Sequence, residues 1–248
     1  MSPKAVPQMA GTDALLAALN PPADAELSVL VPNMKGYELA RAAGAGTLAV
    51  VVSATETMNQ KNIRMSLEQT LEVARAIIER ARAEGAKIQA YLSVAWECPF
   101  EGAVPAETVI EQAGMLAGWG ADEIVVADTI GAANPAGVRA VMDTLVQQHG
   151  TERLACHFHD TFGLGMANIL AAKRLGVVSF ETSFGGLGGC LLASGLGPLE
   201  EVLGDLGHAC KLLSTYRGPL MPPSLRIRQK WTISPIIISS GRMMQWAT

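Results

Sequence analysis

The sequence is poor in aromatic residues and in charge. Phe, Trp and Tyr make up 5% of the 248 residues and charged residues 17%, against 49% hydrophobic residues. Ala, Val, Leu, Ile and Met must therefore build the core, and their abundance excludes disorder for most of the chain. The formal net charge is −4. This value argues against a nucleic-acid-binding protein, because such proteins need a basic face.

Long apolar runs and paired cysteines are also missing. No run approaches the roughly 18 apolar residues of a membrane span, and residues 1–11 contain no basic segment followed by an apolar one. The four cysteines, at positions 98, 156, 190 and 210, include no Cys-x-x-Cys pair, which argues against a disulfide scaffold. We therefore expect a cytoplasmic protein with no membrane partner.

Short aliphatic runs alternate with longer runs of helical spacing. The predicted strands are 27–31, 47–53, 87–94, 123–127, 154–159 and 177–182, and the predicted helices are 12–19, 35–43, 66–84, 105–117, 135–148 and 164–175. Continuously apolar strands are typical of parallel sheets covered on both faces. Six strand–helix units fit an incomplete eight-fold barrel. An open doubly wound sheet is the alternative, but its phosphate-binding Gly-x-Gly-x-x-Gly turn is missing.

Charge and composition change along the chain. Residues 1–190 carry 13 basic and 20 acidic groups, whereas residues 191–248 carry 6 basic and 3 acidic groups. The last stretch is rich in Ile and Ser and holds two of the four Trp residues. We therefore expect a partial barrel domain over residues 1–213 and a tail of different character over residues 214–248.

The segment His157-Phe158-His159-Asp160 is the sharpest local feature, because it holds two of only four histidines. Residues i and i+2 of a strand point to the same side, so both imidazoles could bind one metal ion. Oxygen atoms of Asp160 and Asn168 would lie near, and such a set of nitrogen and oxygen ligands suits Mg²⁺ or Mn²⁺. The alternative is a pair of hydrogen-bonded histidines in the core or at its rim.

Two further side chains could transfer protons. Asp128 ends a predicted strand and could accept a proton, or it could cap the next helix. Cys190 ends the glycine-rich stretch 185–190. Its thiol could reach a bound substrate from a flexible loop, or it could simply fill apolar space.

Seven motifs occur together in one enzyme family. They are Ser2-Pro3-Lys4 with Val6-Pro7-Gln8-Met9, Pro32-Asn33-Met34-Lys35-Gly36, Asn59-Gln60-Lys61-Asn62, Cys98-Pro99-Phe100-Glu101-Gly102, Asp128-Thr129-Ile130-Gly131, His157-Phe158-His159-Asp160-Thr161-Phe162-Gly163 and Gly185-Gly186-Leu187-Gly188-Gly189-Cys190. In this order the motifs resemble the hydroxymethylglutaryl-CoA lyases, which are metal-dependent barrel lyases related to the Claisen-type synthases. The resemblance covers residues 1–190.

This resemblance implies a (β/α)8 TIM barrel that cleaves 3-hydroxy-3-methylglutaryl-CoA into acetyl-CoA and acetoacetate, a step of ketone-body and leucine catabolism. It implies that His157 and His159 bind a divalent cation, Mg²⁺ or Mn²⁺. It also implies that His157, Asp128 and Cys190 serve the proton transfers. Thr129 and Asn33 are candidate contacts for the acyl-CoA substrate.

The sequence departs from the family pattern at several positions. The likeness begins after the family's first strand, which bears an Arg-Asp pair, and after most of the second strand, which bears a Glu. Leu199, or Leu196 if a three-residue gap is allowed, stands where the family has an Asn ligand. We therefore expect impaired activity. The alternatives are an inactive barrel remnant and a related acyl-CoA-condensing synthase, and a homodimer could complete the barrel.

Overall fold

The strands form a curled parallel sheet. The computed structural model describes residues 11–19, 26–181 and 230–233. Its strands are β1 Glu26–Leu30, β2 Thr47–Ser53, β3 Lys87–Ser93, β4 Glu97–Cys98, β5 Gly102–Ala103, β6 Glu123–Asp128, β7 Leu154–Phe158, β8 Ser179–Phe180 and β9 Lys230–Ile233. Seven of them pair in the order β8-β7-β6-β3-β2-β1-β9, and β4 and β5 form a separate antiparallel pair. The predicted incomplete α/β barrel is confirmed, because its parallel strands lie in chain order from β1 to β8 in one curled sheet.

All the described helices except the first connect successive strands of the sheet. The helices are α1 Thr12–Ala18, α2 Met34–Ala42, α3 Glu56–Ile63, α4 Leu67–Ala83, α5 Ala106–Trp119, α6 Pro135–His149 and α7 Gly165–Arg174. The start of α4 follows from its sequence: the Ser66 hydroxyl accepts a hydrogen bond from the Gln69 amide at 3.1 Å, and the Gln69 side chain accepts one from the Ser66 amide at 3.0 Å. This reciprocal pair satisfies two amides that lack a partner within the helix.

The end of α5 differs from its predicted end. The predicted helix 105–117 would end at Gly118, but α5 continues to Trp119 and ends at Gly120, which adopts a φ of 107°. The left-handed conformation that ends a helix is available to glycine without strain. Gly118 has no such conformation and lies within the helix.

The two faces of the sheet differ in chemistry. Alternate residues of β3, Ile88, Ala90 and Leu92, are at most 1% exposed and belong to the apolar core under the helices. The residues between them, Gln89 and Tyr91, belong to the opposite, inner face, which is the interior of the curl. The inner face is polar at its amino-terminal end. There the Glu123 carboxylate accepts hydrogen bonds from the Gln89 amide at 2.8 Å and the Ser179 hydroxyl at 3.2 Å.

Strand β9 lies within the tail predicted for residues 214–248. It pairs with β1 in parallel, with Glu26 opposite Lys230 and Val29 opposite Ile233. This part of the tail therefore belongs to the sheet, whereas the boundary at residue 213 stays a prediction. Among the residues described above, no helix has the length and apolar character needed to cross a membrane.

Candidate active site

The two histidines of the predicted metal site lie together. His157 is near the end of β7 and His159 follows the strand, and their ring centroids are 4.8 Å apart. Phe158 between them points to the other side, where it packs against Trp96 with ring centroids 5.5 Å apart. The alternation of side chains along a strand explains this arrangement. Both imidazoles lie at the carboxyl end of the sheet, where barrel enzymes carry their active sites.

His159 is held by a main-chain carbonyl. Its Nδ1 lies 2.7 Å from the carbonyl oxygen of Asp128. A carbonyl can only accept a hydrogen bond, so Nδ1 carries the proton and the lone pair of the neutral ring is on Nε2. Burial, together with the charge of nearby His157, lowers the pKa of His159 to about 4. The ring is therefore neutral at neutral pH and can act as a metal ligand.

His157 is held by a carboxylate. Its Nδ1 lies 2.7 Å from Oε2 of Glu181, and the Tyr91 hydroxyl donates a hydrogen bond to Oε1 of the same carboxylate. An ionised carboxylate only accepts, so Nδ1 of His157 is also the protonated nitrogen. In both histidines Nδ1 is occupied, and Nε2 is the nitrogen available to a ligand. Hydrogen bonds of this kind orient metal-binding histidines.

Asp128 is the last residue of β6 and is 1% exposed. Its Oδ2 accepts a hydrogen bond from the Ala133 amide at 3.1 Å. Burial raises the pKa of Asp128 to about 6, although the amides of residues 131–133 and the charge of His157 act to lower it. The alternative role as the cap of the next helix is wrong, because Asn134 caps α6 by accepting hydrogen bonds from the Ala136 and Gly137 amides.

The loop after Asp128 is fixed by two neighbouring elements. The Thr129 hydroxyl accepts a hydrogen bond from the Val94 amide at 2.7 Å, and the Asn168 amide donates one to the Ala133 carbonyl at 2.9 Å. Val94, the residue after β3, has a φ of 51°. A β-branched residue in this region is strained, and such strain is typical of functional sites.

The described residues fit only part of a metal site. Residues 11–19, 26–181 and 230–233 contain no cluster of three His, Cys, Asp or Glu side chains that could hold an ion. Asp160 accepts a hydrogen bond from the Gly165 amide at 2.6 Å and so holds the start of α7. Asn168 holds the loop at Ala133. The two Nε2 atoms of His157 and His159 therefore fit a divalent cation as two of its ligands.

Two other candidate site residues of the sequence are Cys190 and Asn33. Cys190 lies outside the described residues, as do Leu196 and Leu199. Asn33, a candidate substrate contact, caps α2 by accepting a hydrogen bond from the Gly36 amide at 2.9 Å. The roles of Cys190 and Asn33 therefore stay predictions.

Sequence analysis missed Glu181 and Tyr91. Both sit in runs read as continuously apolar strands, yet both belong to the polar inner face. The available signal was the alternation of polar residues at Gln89 and Tyr91 on β3 and at Ser179 and Glu181 at the end of β8. Polar residues at every second position of a buried strand indicate a polar face.

Comparison with known proteins identifies the family. The HMGL-like family model matches residues 5–215. A 3-hydroxy-3-isohexenylglutaryl-CoA/hydroxymethylglutaryl-CoA lyase of Pseudomonas aeruginosa is 36% identical over 195 residues, which are 79% of this chain and 65% of that protein. A hydroxymethylglutaryl-CoA lyase of Bacillus subtilis is 40% identical over 168 residues, which are 68% of this chain and 56% of that protein.

Solved structures agree with this assignment. A hydroxymethylglutaryl-CoA lyase from Pseudomonas aeruginosa superposes with a TM-score of 0.74 at 36% identity, over 82% of this chain and 69% of that chain. An HMG-CoA lyase from Acinetobacter baumannii, in complex with coenzyme A and 3-methylmalate, gives a TM-score of 0.74 at 33% identity over 78% and 63% of the two chains. The chain thus spans less than two thirds of the length of the curated relatives named above, and it belongs to the HMGL-like family.

Proposed function

We propose that the chain carries the active site of a divalent-metal-dependent carbon–carbon lyase that cleaves 3-hydroxy-3-methylglutaryl-CoA into acetyl-CoA and acetoacetate. One observation carries the proposal: in an HMGL-like chain, two imidazoles 4.8 Å apart have Nδ1 occupied and Nε2 available, next to a buried carboxyl group. The position of both rings at the carboxyl end of the sheet, where barrel enzymes carry their active sites, favours metal binding over a purely structural pair.

His157 and His159 would hold Mg²⁺ or Mn²⁺ through Nε2, together with oxygen ligands. When bound, the cation would act as a Lewis acid that makes the substrate hydroxyl more acidic. His159 suits this position because its pKa of about 4 keeps the ring neutral. His157 would also lie near the proton that leaves the substrate hydroxyl.

Asp128 would assist the proton transfers. With a pKa of about 6 it is mostly ionised at neutral pH, yet close enough to neutrality to take up a proton and return it. Loss of the hydroxyl proton allows the carbon–carbon bond to break, and the acetyl-CoA enolate must then be protonated on carbon. We assign this second proton to the Cys190 thiol, and Thr129 and Asn33 to substrate contacts.

An assay of acetoacetate release from 3-hydroxy-3-methylglutaryl-CoA with Mg²⁺ or Mn²⁺ tests the proposal. Release should be lost in His157→Ala and in Cys190→Ala. Two matched controls should retain it: His149→Ala, at the end of α6, and Cys210→Ala, outside the glycine-rich loop. Equal loss in a control and in its site variant would contradict the assignment.

A catalytically inactive remnant is the second candidate, and the Leu at either position aligned with the family's Asn ligand favours it. The absence of both acetoacetate release and Mn²⁺ binding in calorimetry would support the remnant. Condensation of acetyl-CoA with a 2-oxo acid would instead support a synthase. We further propose a cytoplasmic location and a homodimer. Gel filtration with light scattering tests the homodimer directly.

A further inference from the structure

We propose that Glu181 is a positioning residue that sets the tautomer of His157, and that Tyr91 holds Glu181 in place for this task. Glu181 follows β8, and its side chain is 12% exposed. One carboxylate oxygen contacts Nδ1 of His157 at 2.7 Å, and the other accepts the Tyr91 hydroxyl. The inference rests on the proposed function, because it concerns the histidine that would bind the metal.

The contact between Tyr91 and Glu181 crosses the concave face of the sheet. Strand β3, which carries Tyr91, is separated from β8 by β6 and β7. The two side chains therefore meet over the inner face rather than through pairing of adjacent strands. A hydrogen bond to a carboxylate is strong, and partial burial strengthens it further. Each oxygen has its own donor, so the carboxylate cannot rotate without losing one of them.

The consequence for His157 follows from hydrogen-bond chemistry. With Tyr91 on one oxygen, the other oxygen of Glu181 faces Nδ1 and must receive a proton from it. The lone pair of the neutral ring then lies on Nε2, which suits a metal ligand or a proton acceptor. In the other tautomer Nε2 would carry a hydrogen atom and could do neither. Glu181 thus acts on His157 without needing to touch the substrate.

The isosteric variant Glu181→Gln gives a sharp test. The Tyr91 hydroxyl can donate to the amide oxygen or accept from the amide nitrogen, so this variant can present either group to Nδ1 of His157. Where the amide nitrogen faces Nδ1, Nδ1 must accept the hydrogen bond and the ring proton lies on Nε2, a tautomer that the carboxylate does not permit. Glu181→Asp keeps a carboxylate and should retain the original tautomer. Glu123→Gln makes the same chemical change on the inner face, at a carboxylate that accepts hydrogen bonds from Gln89 and Ser179.

Long-range ¹H–¹⁵N correlation spectra of the full metal-free chain, in mildly alkaline buffer, report which ring nitrogen is protonated. The His157 signals are identified by their loss in His157→Gln. We expect protonated Nδ1 alone in the unmodified chain, in Glu181→Asp and in Glu123→Gln, and a detectable population with protonated Nε2 in Glu181→Gln. Protonated Nδ1 as the single tautomer in a folded Glu181→Gln, or protonated Nε2 in the unmodified chain, would overturn the inference. If Glu181→Gln does not fold, the same spectra of the unmodified chain, Glu181→Asp and Tyr91→Phe test the inference.

Tyr91→Phe removes only the hydroxyl that anchors Glu181, and it should allow a second His157 tautomer to appear. A single tautomer with protonated Nδ1 in this variant would refute the role given to Tyr91. In the acetoacetate assay, kcat should fall at least tenfold in Glu181→Gln, in line with other residues that orient metal-binding histidines, and should recover in Glu181→Asp. The spectra need neither metal nor substrate. An inactive but tautomer-switching protein would therefore refute the proposed function alone.

Discussion

Replacing Asp128 by Asn should change how the stability of the protein depends on pH. Burial raises the pKa of Asp128 from 3.8 to about 6 in the folded chain. The folded state therefore keeps this proton to higher pH than the unfolded state. The stability that the protonated group contributes is fully present below pH 3.8 and is lost as the pH rises through 6. The difference of about 2 pH units corresponds to about 3 kcal/mol.

His159 opposes this effect in the unmodified chain. Its pKa falls from 6.5 to about 4 on folding, so its contribution is present above pH 6.5 and is lost as the pH falls through 4. The two groups lie at the same site, and their effects on the free energy of unfolding nearly cancel between pH 4 and pH 6. Removing the carboxyl group leaves the effect of His159 unopposed.

Urea unfolding from pH 4 to pH 8, in buffer with a metal chelator, gives the free energy of unfolding of each protein. The quantity of interest is the value for Asp128→Asn minus the value for the unmodified chain. This difference should rise by about 2 kcal/mol between pH 4 and pH 6 and then level off. Thr129→Val is a suitable control, because it disturbs the same loop without removing a titrating group and should give a constant difference. A constant difference for Asp128→Asn as well would refute the reasoning from burial.

Two further predictions concern the loop that follows Asp128. Asn168→Ala removes the hydrogen bond to the Ala133 carbonyl and should lower the free energy of unfolding by about 1–3 kcal/mol; urea unfolding measures this, and an unchanged midpoint would contradict it. Gly131 has a φ of 74°, and an added Cβ would lie 2.9 Å from the backbone nitrogen of Thr161. Gly131→Ala should therefore lower the thermal midpoint more than Gly44→Ala, whose φ is also positive but whose Cβ would meet nothing within 4 Å. Equal shifts of the thermal midpoint in the two variants would show that the contact with Thr161 does not destabilise the folded state.

The sequence predicts the sheet better than its polar surroundings. The predicted strand 47–53 matches β2, because a continuous run of aliphatic residues is a local pattern that by itself indicates a buried strand. Helix α3 was missed because only Met58 and Asn59 of its residues are buried, so it shows no apolar stripe. Asn59 instead ties α3 to the sheet by donating to the carbonyls of Ser53 and Thr55, each at 2.8 Å. Such tertiary hydrogen bonds leave no periodic pattern in a sequence.

For the candidate site, too, the sequence predicts local relations but not long-range contacts. Strand alternation predicts that His157 and His159 share one side, because that relation is local. The contact between His157 and Glu181 depends on how β7 and β8 end, and the contact between Tyr91 and Glu181 depends on the curl of the sheet. The elevated pKa of Asp128 arises from burial, which the sequence around it does not reveal. These contacts and this burial depend on residues that are distant in the sequence, so a local pattern does not predict them.

The opposite orientation of neighbours on β7 limits how this strand can change in length. One residue inserted ahead of Cys156 would preserve most backbone pairing with β6 while turning every following side chain to the other side. Phe158 would then enter the polar interior and the imidazole of His157 would press against the helices. Insertions and deletions that keep the chemistry intact must therefore fall in the connecting loops, and within the strand only exchanges of one side chain for another are tolerated.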